Sequence, residues 1–315
     1  MRVHRSCILL LLVACASEEA RLEPEPERGD IFGDDSRREL YELAPGSVER
    51  KAADATAGLL VFSGGFERER DLRVLRGQGL GEQHGLCEGV RFYDQPTMGS
   101  CTGFLVGEDI LVTAGHCVSE STCPDMAVVF DYAYQSAEDT RFDERLVTFP
   151  KSDVYSCKQV LGHGYDLEDN CTTDWAVLQL DRPVVGREPL KLALETPERG
   201  VNLFAVGHPS GLPTKIAGNA IVRRHGDLTF GYELDLFGGN SGSPVLDNEG
   251  VVRGIHICGG VGDYTDDPAP WNPDFDLADG TCQVPIVCDQ YCGRLGTAFD
   301  IKSIAPSIRS LVPNN

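Results

Sequence analysis

From about Ala57 onward, apolar residues come in short runs broken by Gly, Pro, Asn and Asp. Gly103–Val106, Ile110–Thr113, Asp174–Leu180, Pro244–Leu246 and Val251–Ile257 each have strand length, and none runs long enough to establish a helical period. Evenly spaced short strands with such breaks predict a sandwich or barrel. Gly107-Glu108-Asp109 joins the first pair of runs into a hairpin, and Asp247–Gly250 joins the last pair. At the C-terminus, Ile301 to Leu311 spaces its apolar groups at three to four residues and predicts a short helix. Ile31 to Leu43 carries scattered apolar positions, as an arm lying on the domain surface would.

The first 30 residues read differently. Arg2 and Arg5 precede an apolar stretch, Cys7–Val13, that is too short to span a bilayer. Leu12-Val13-Ala14-Cys15 resembles the lipobox of bacterial lipoproteins, with Cys15 as the lipidated first residue. The same stretch also offers Ala14-Cys15-Ala16, a small-residue site for cleavage before Ser17. The expected division is a signal peptide over 1–14, a charged, proline-rich tether or pro-segment over 15–30 and an arm over 31–56. A main domain over 57–312 follows, in halves of about 57–185 and 186–312. No later run suits a membrane helix, so membrane attachment is expected only through a lipid on Cys15. The protein is expected to be exported, either to the bacterial envelope as a lipoprotein or as a secreted protein.

The net charge of −21 argues against nucleic-acid binding, because a phosphate backbone needs a basic surface. Twelve cysteines leave ten once Cys7 and Cys15 of the export segment are set aside, an even number that reads as a disulfide framework from an oxidising compartment. Cys282, Cys288 and Cys292 come nearest to a zinc cluster but lack its paired spacing. The stretch Gly259–Gly293 carries Asp263, Asp266, Asp267, Asp274, Asp276 and Asp279. It reads as a disulfide-tied solvated loop, an acidic rim or a calcium site, and it lacks the alternate spacing of a calcium hand loop. No metal or cofactor is expected.

The chemistry lies in three segments: Leu111–Cys117, Asp174–Leu180 and Gly239–Pro244. A serine hydroxyl is a poor nucleophile until a base removes its proton, and histidine exchanges protons near neutrality. A buried carboxylate then fixes the imidazole and stabilises the imidazolium. The assignment is Ser241 as nucleophile, His116 as general base and acid, and Asp174 as orienter. The glycines beside Ser241 allow a sharp turn that aims the Gly239 and Ser241 amides at one developing oxyanion.

Thr113–Cys117, Asp174–Leu178, Gly238–Val245 and Gly254–His256 together resemble the chymotrypsin-fold serine peptidases, in particular the bacterial branch that includes glutamyl endopeptidases. Gly207–Pro213 is similar to a loop of that branch, and Asp34-Asp35 with Arg37-Arg38 more weakly to its N-terminal arm. The resemblance implies an all-β fold of two six-stranded antiparallel barrels with a short C-terminal helix. His116 and Asp174 would lie in the first barrel and Ser241 in the second. Also implied are a protein or peptide substrate, a strand around Ile257–Gly259 that pairs with it, and a Cys101–Cys117 bridge stapling the histidine loop. Cys157 with Cys171 is a further candidate pair.

Asn240 stands where the trypsin branch has the aspartate that pairs with a freed N-terminal amine, so activation by that ion pair is not expected. For specificity the residues conflict. His256 matches the histidine with which glutamyl endopeptidases bind an acidic side chain, although Leu236 replaces their assisting hydroxyl residue. Asp235 stands where trypsin-like enzymes bind Arg or Lys. A silent peptidase-fold binding module and an esterase using the same triad remain alternative readings.

Overall fold

The computed structural model describes residues 31–61, 67–69, 72–142, 146–166, 171–262, 275–278, 280–288 and 294–312. The export segment, Cys15, the tether through residue 30, Cys292 and most of the acidic stretch after Gly259 lie outside them.

Two closed six-stranded antiparallel barrels carry the structure. The first joins Met126–Val129, Val154–Tyr165, Asp174–Leu180, Ile110–Thr113, Cys101–Leu105 and Thr56–Val61, which returns to Met126–Val129. The second joins Val251–Gly262, Pro244–Asp247, Asn202–Gly207, Lys215–His225, Thr229–Tyr232 and Arg294–Asp300, which pairs back to Val251–Gly262. Closure removes the exposed edges that an open sheet would leave. It also explains why Cys101–Leu105 and Ile110–Thr113 are apolar without alternation. Every residue of both strands is buried, inside the barrel or beneath the neighbouring elements.

One apolar cluster runs through both barrels. Phe104, Leu111 and Leu178 from the first meet Val252, Ile255 and Phe299 from the second, with Ile308 of the C-terminal helix Ala305–Leu311 closing the end. Each such side chain contributes about 1.5–3 kcal/mol through its removal from water. The barrels are therefore fused along their contact, and the candidate site lies over that seam.

The N-terminal arm packs mainly on the second barrel. Arg38–Glu39 pairs with Lys215–Ile216, and the buried ammonium of Lys215 meets the Glu39 carboxylate at 3.2 Å. The short helix Val48–Asp54 follows, its first turn capped by the Ser47 hydroxyl accepting from the Arg50 amide.

Among the described residues four disulfides are formed: Cys87–Cys282, Cys101–Cys117, Cys123–Cys157 and Cys171–Cys258. The expectation that Cys157 pairs with Cys171 is thus corrected. The strand Val154–Tyr165 lies beside Met126–Val129, which brings Cys157 to Cys123. Cys171, just before Asp174, reaches across to the second barrel instead. With Cys282 bonded to Cys87, the zinc reading of Cys282, Cys288 and Cys292 loses its first thiolate.

Candidate active site

Asp174 is the first residue of its strand, and its side chain is 1% exposed. Its two oxygens serve one residue. Oδ1 accepts the His116 backbone amide at 2.9 Å, and Oδ2 lies 2.6 Å from His116 Nδ1. A carboxylate only accepts, so Nδ1 carries the proton and Nε2 of the neutral ring keeps its lone pair. The histidine sits on the single helical turn Gly115–Cys117 directly after the strand Ile110–Thr113. Gly115 is required there: a Cβ would stand 2.6 Å from the Gly164 carbonyl and 3.1 Å from Asp174 Oδ1. The His163 ring contacts the Gly115 carbonyl at 2.9 Å, and the Cys101–Cys117 disulfide fixes the far side of the turn.

The nucleophile loop presses against this turn. The Thr102 amide donates to the Ser241 carbonyl at 2.8 Å. A Cβ on Gly242, whose φ is +87°, would lie 2.1 Å from the Thr102 carbonyl and 2.2 Å from Thr113 Oγ1. No side chain fits between the two loops. Ser241 itself is half-buried, and its hydroxyl makes no hydrogen bond among the described residues.

The amides of the loop divide into two sets. Asn240 donates to the Phe237 carbonyl, Gly242 to His256 and Ser243 to Asn240. Those of Gly239 and Ser241 have no partner among the described residues. The alternation comes from the tight turn, with Gly239 at φ +93°. An acceptor approaching the loop would find these two donors unoccupied. Asn240, 1% exposed, donates through its side-chain amide to the Phe237 carbonyl at 3.2 Å.

His256 is 3% exposed, and its Nδ1 lies 2.6 Å from the Tyr232 hydroxyl. Burial, reinforced by the nearby His116, lowers its pKa to about 3, so it is neutral in ordinary conditions. Tyr232 is completely buried, and its hydroxyl makes no other hydrogen bond among the described residues. Donation from the phenol to Nδ1 satisfies that hydroxyl and leaves the His256 proton on Nε2.

Asp235 faces away from this chemistry. Its oxygens accept the amides of Phe32 at 2.7 Å and Ser36 at 2.6 Å, both in the arm. Both of its oxygens, the ones a substrate Arg or Lys would need, are thus engaged by backbone amides of the arm. Burial raises its pKa despite those bonds. The arm also stacks on this wall: the Arg37 guanidinium lies 4.2 Å from the centre of the Phe237 ring, and Ile31 packs in the same cluster.

Thr102 escaped the sequence reading, in which the hairpin began one residue later at Gly103. Its hydroxyl donates to the Gly239 carbonyl at 3.0 Å and lies 3.3 Å from His208 Nδ1. A polar residue between a stapled cysteine and a buried strand was the available signal. His208 is fully buried and stacked on Tyr132, with Thr214 at 3.1 Å from its Nε2. Burial and the Lys215 charge lower its pKa to about 3.

A search of curated proteins gives no sequence match. Among solved structures, neuropsin, a serine protease of mouse brain, aligns with a TM-score of 0.50 at 15% identity, covering 83% of this chain and 95% of its own. Human heparin binding protein aligns at 0.49 and 17% identity, over 90% and 98%. A Glu endopeptidase aligns at 0.48 and 16% identity, over 89% and 98%. The family profile of the trypsin-like peptidase domain matches residues 101–255, a span that runs from the disulfide cysteine of the histidine loop to the strand after the nucleophile. Residues 101–255 thus carry a trypsin-like peptidase domain, set within the two closed barrels.

Proposed function

We propose that the protein is an exported serine endopeptidase that hydrolyses peptide bonds through Ser241, His116 and Asp174. The observation that carries this reading is the double contact of Asp174 with the side chain and backbone of His116. It sets one tautomer and one ring orientation beside a serine loop with two unoccupied amides. His116 Nε2 takes the Ser241 proton as Oγ attacks the scissile carbonyl, and the oxyanion forms against the Gly239 and Ser241 amides. The protonated ring then returns the proton to the leaving amine. Water activated by the same nitrogen releases the acyl group.

Cleavage after acidic residues is the preferred specificity. A neutral His256 with its proton on Nε2 donates to a substrate carboxylate, whereas Asp235 is committed to the arm. Four disulfides suit an oxidising, exported location. The proposed organisation keeps a signal segment over 1–14, lipidation at Cys15 or simple secretion, and a tether over 15–30.

A fluorophosphonate probe tests the reaction class. Wild-type protein should be labelled and Ser241→Ala should not; absence of label on folded wild type would establish the silent binding module. A peptide library then reports the bond cleaved, with Glu or Asp expected before it. Hydrolysis of simple esters without peptide cleavage would point to an esterase.

A further inference from the structure

The loop Gly207–Pro213 lies under the nucleophile loop, and Ser210 in it adopts an unusual conformation. Its φ is 52° and ψ 24°, the left-handed region that suits glycine. Its hydroxyl is buried without a hydrogen-bond partner. Such a residue persists only when its surroundings over-determine it, and here they do. Gly211 receives the Met98 amide at 2.7 Å and the Tyr132 hydroxyl at 3.1 Å, while His208 is held between Thr102 and Thr214.

The Ser210 amide donates to the Gly238 carbonyl at 2.5 Å. That carbonyl and the Gly239 N–H share one trans peptide plane and point in opposite directions. With the carbonyl held towards Ser210, the Gly239 N–H is turned to the other side, where it has no partner among the described residues. The loop is also packed onto Gly239: a Cβ there would stand 2.5 Å from the His208 carbonyl and 3.2 Å from the Ser210 nitrogen.

We infer that Ser210 is a positioning residue for oxyanion stabilisation, its left-handed backbone placing the amide that orients the Gly238–Gly239 peptide and aims the Gly239 N–H at the reacting carbonyl. This rests on the peptidase reading above. The working part is the backbone of Ser210, so a glycine should replace it and a β-branched residue should not.

Two variants and one measurement on the wild type test the role. S210G should keep kcat within about twofold. S210V should lower kcat about ten- to a hundredfold, somewhat less than deletion of an oxyanion donor, with KM nearly unchanged. The same factor should weaken binding of a peptidyl boronate, whose tetrahedral adduct needs the hole, and spare a product peptide. Wild-type kcat in S210V, or equal losses in S210G and S210V, would overturn the role. If S210V fails to fold, amide exchange in the wild type decides: slow exchange at Ser210 supports the bond to Gly238, and free exchange overturns it. A wild type that takes no fluorophosphonate overturns the peptidase reading itself, and free Ser210 exchange in labelled protein overturns the positioning role alone.

Discussion

The amide of Thr102 and the carbonyl of Ser241 are joined at 2.8 Å, so a first-barrel strand holds the loop that the second barrel contributes. The Thr102 hydroxyl adds a bond to the Gly239 carbonyl, two residues upstream. One residue thereby holds the carbonyls of both residues whose amides are unoccupied. Thr102→Val keeps the shape and removes the hydroxyl. We expect kcat to fall roughly tenfold, the worth of one buried hydrogen bond, and Thr102→Ser to restore it. Steady-state kinetics of the two variants on one peptide substrate provide the check, and unchanged kcat in Thr102→Val would remove Thr102 from the site.

Acid should destabilise the protein well before its carboxylates titrate. His208 and His256 have folded pKa values of about 3, lowered chiefly by burial, against roughly 6.5 in an unfolded chain. Between those values the unfolded state binds protons that the folded state refuses. Stability is therefore highest above about pH 6.5 and falls as pH drops towards 3, each histidine contributing a slope of up to about 1.4 kcal/mol per pH unit. Melting temperatures from pH 7.5 to 4 measure this, and a flat profile above pH 5 would contradict it.

Removing the Asp235 carboxylate should loosen the arm and leave the preferred cleavage site alone. Asp235→Ala strands the Phe32 and Ser36 amides, at a cost of about 1–3 kcal/mol. The expected result is a lower melting temperature and faster proteolytic loss of the arm, with the library profile unchanged. A changed preference between acidic and basic residues would mean that the carboxylate reaches substrate.

The Cys171–Cys258 bridge spans 87 residues and ties the segment before Asp174 to the strand that follows Ser241. In the chain-entropy model a closure of that size is worth about 4.5 kcal/mol. Replacing both cysteines by serine should lower stability by an amount of that order in denaturant titrations and raise KM for extended peptides. Melting that matches wild type would show that the barrel seam alone sets the spacing.

The sequence made the strands around the site readable because hydrophobic runs and turn residues are local signals. Asp174–Leu180 was expected as a strand and forms with those bounds, and the hairpin from Gly103 to Thr113 pairs Gly103 with Thr113. Apart from Cys101–Cys117, which the family resemblance implied and which forms, disulfide partners were not readable, since they depend on which strands the barrel sets side by side: Cys157 lies near Cys171 in sequence but beside Cys123 in space. The direction of the Asp235 side chain was equally hidden. A carboxylate six residues before a serine has the same sequence whether it faces a pocket or the amides of an arm 199 residues away. The role inferred for Ser210 rests on a backbone amide, which leaves no mark in residue type, whereas Thr102 uses its hydroxyl as well as its amide.

The four crosslinks are arranged without crossing. Cys101–Cys117 and Cys123–Cys157 close side by side, Cys171–Cys258 follows them, and Cys87–Cys282 encloses all three. A growing polypeptide can therefore oxidise its thiols in the order in which second partners are synthesised, with no early bond needing to be broken. Until residue 282 has been made, Cys87 has no proper mate. Among these four bridges, Cys87 is thus the thiol that waits longest for its partner.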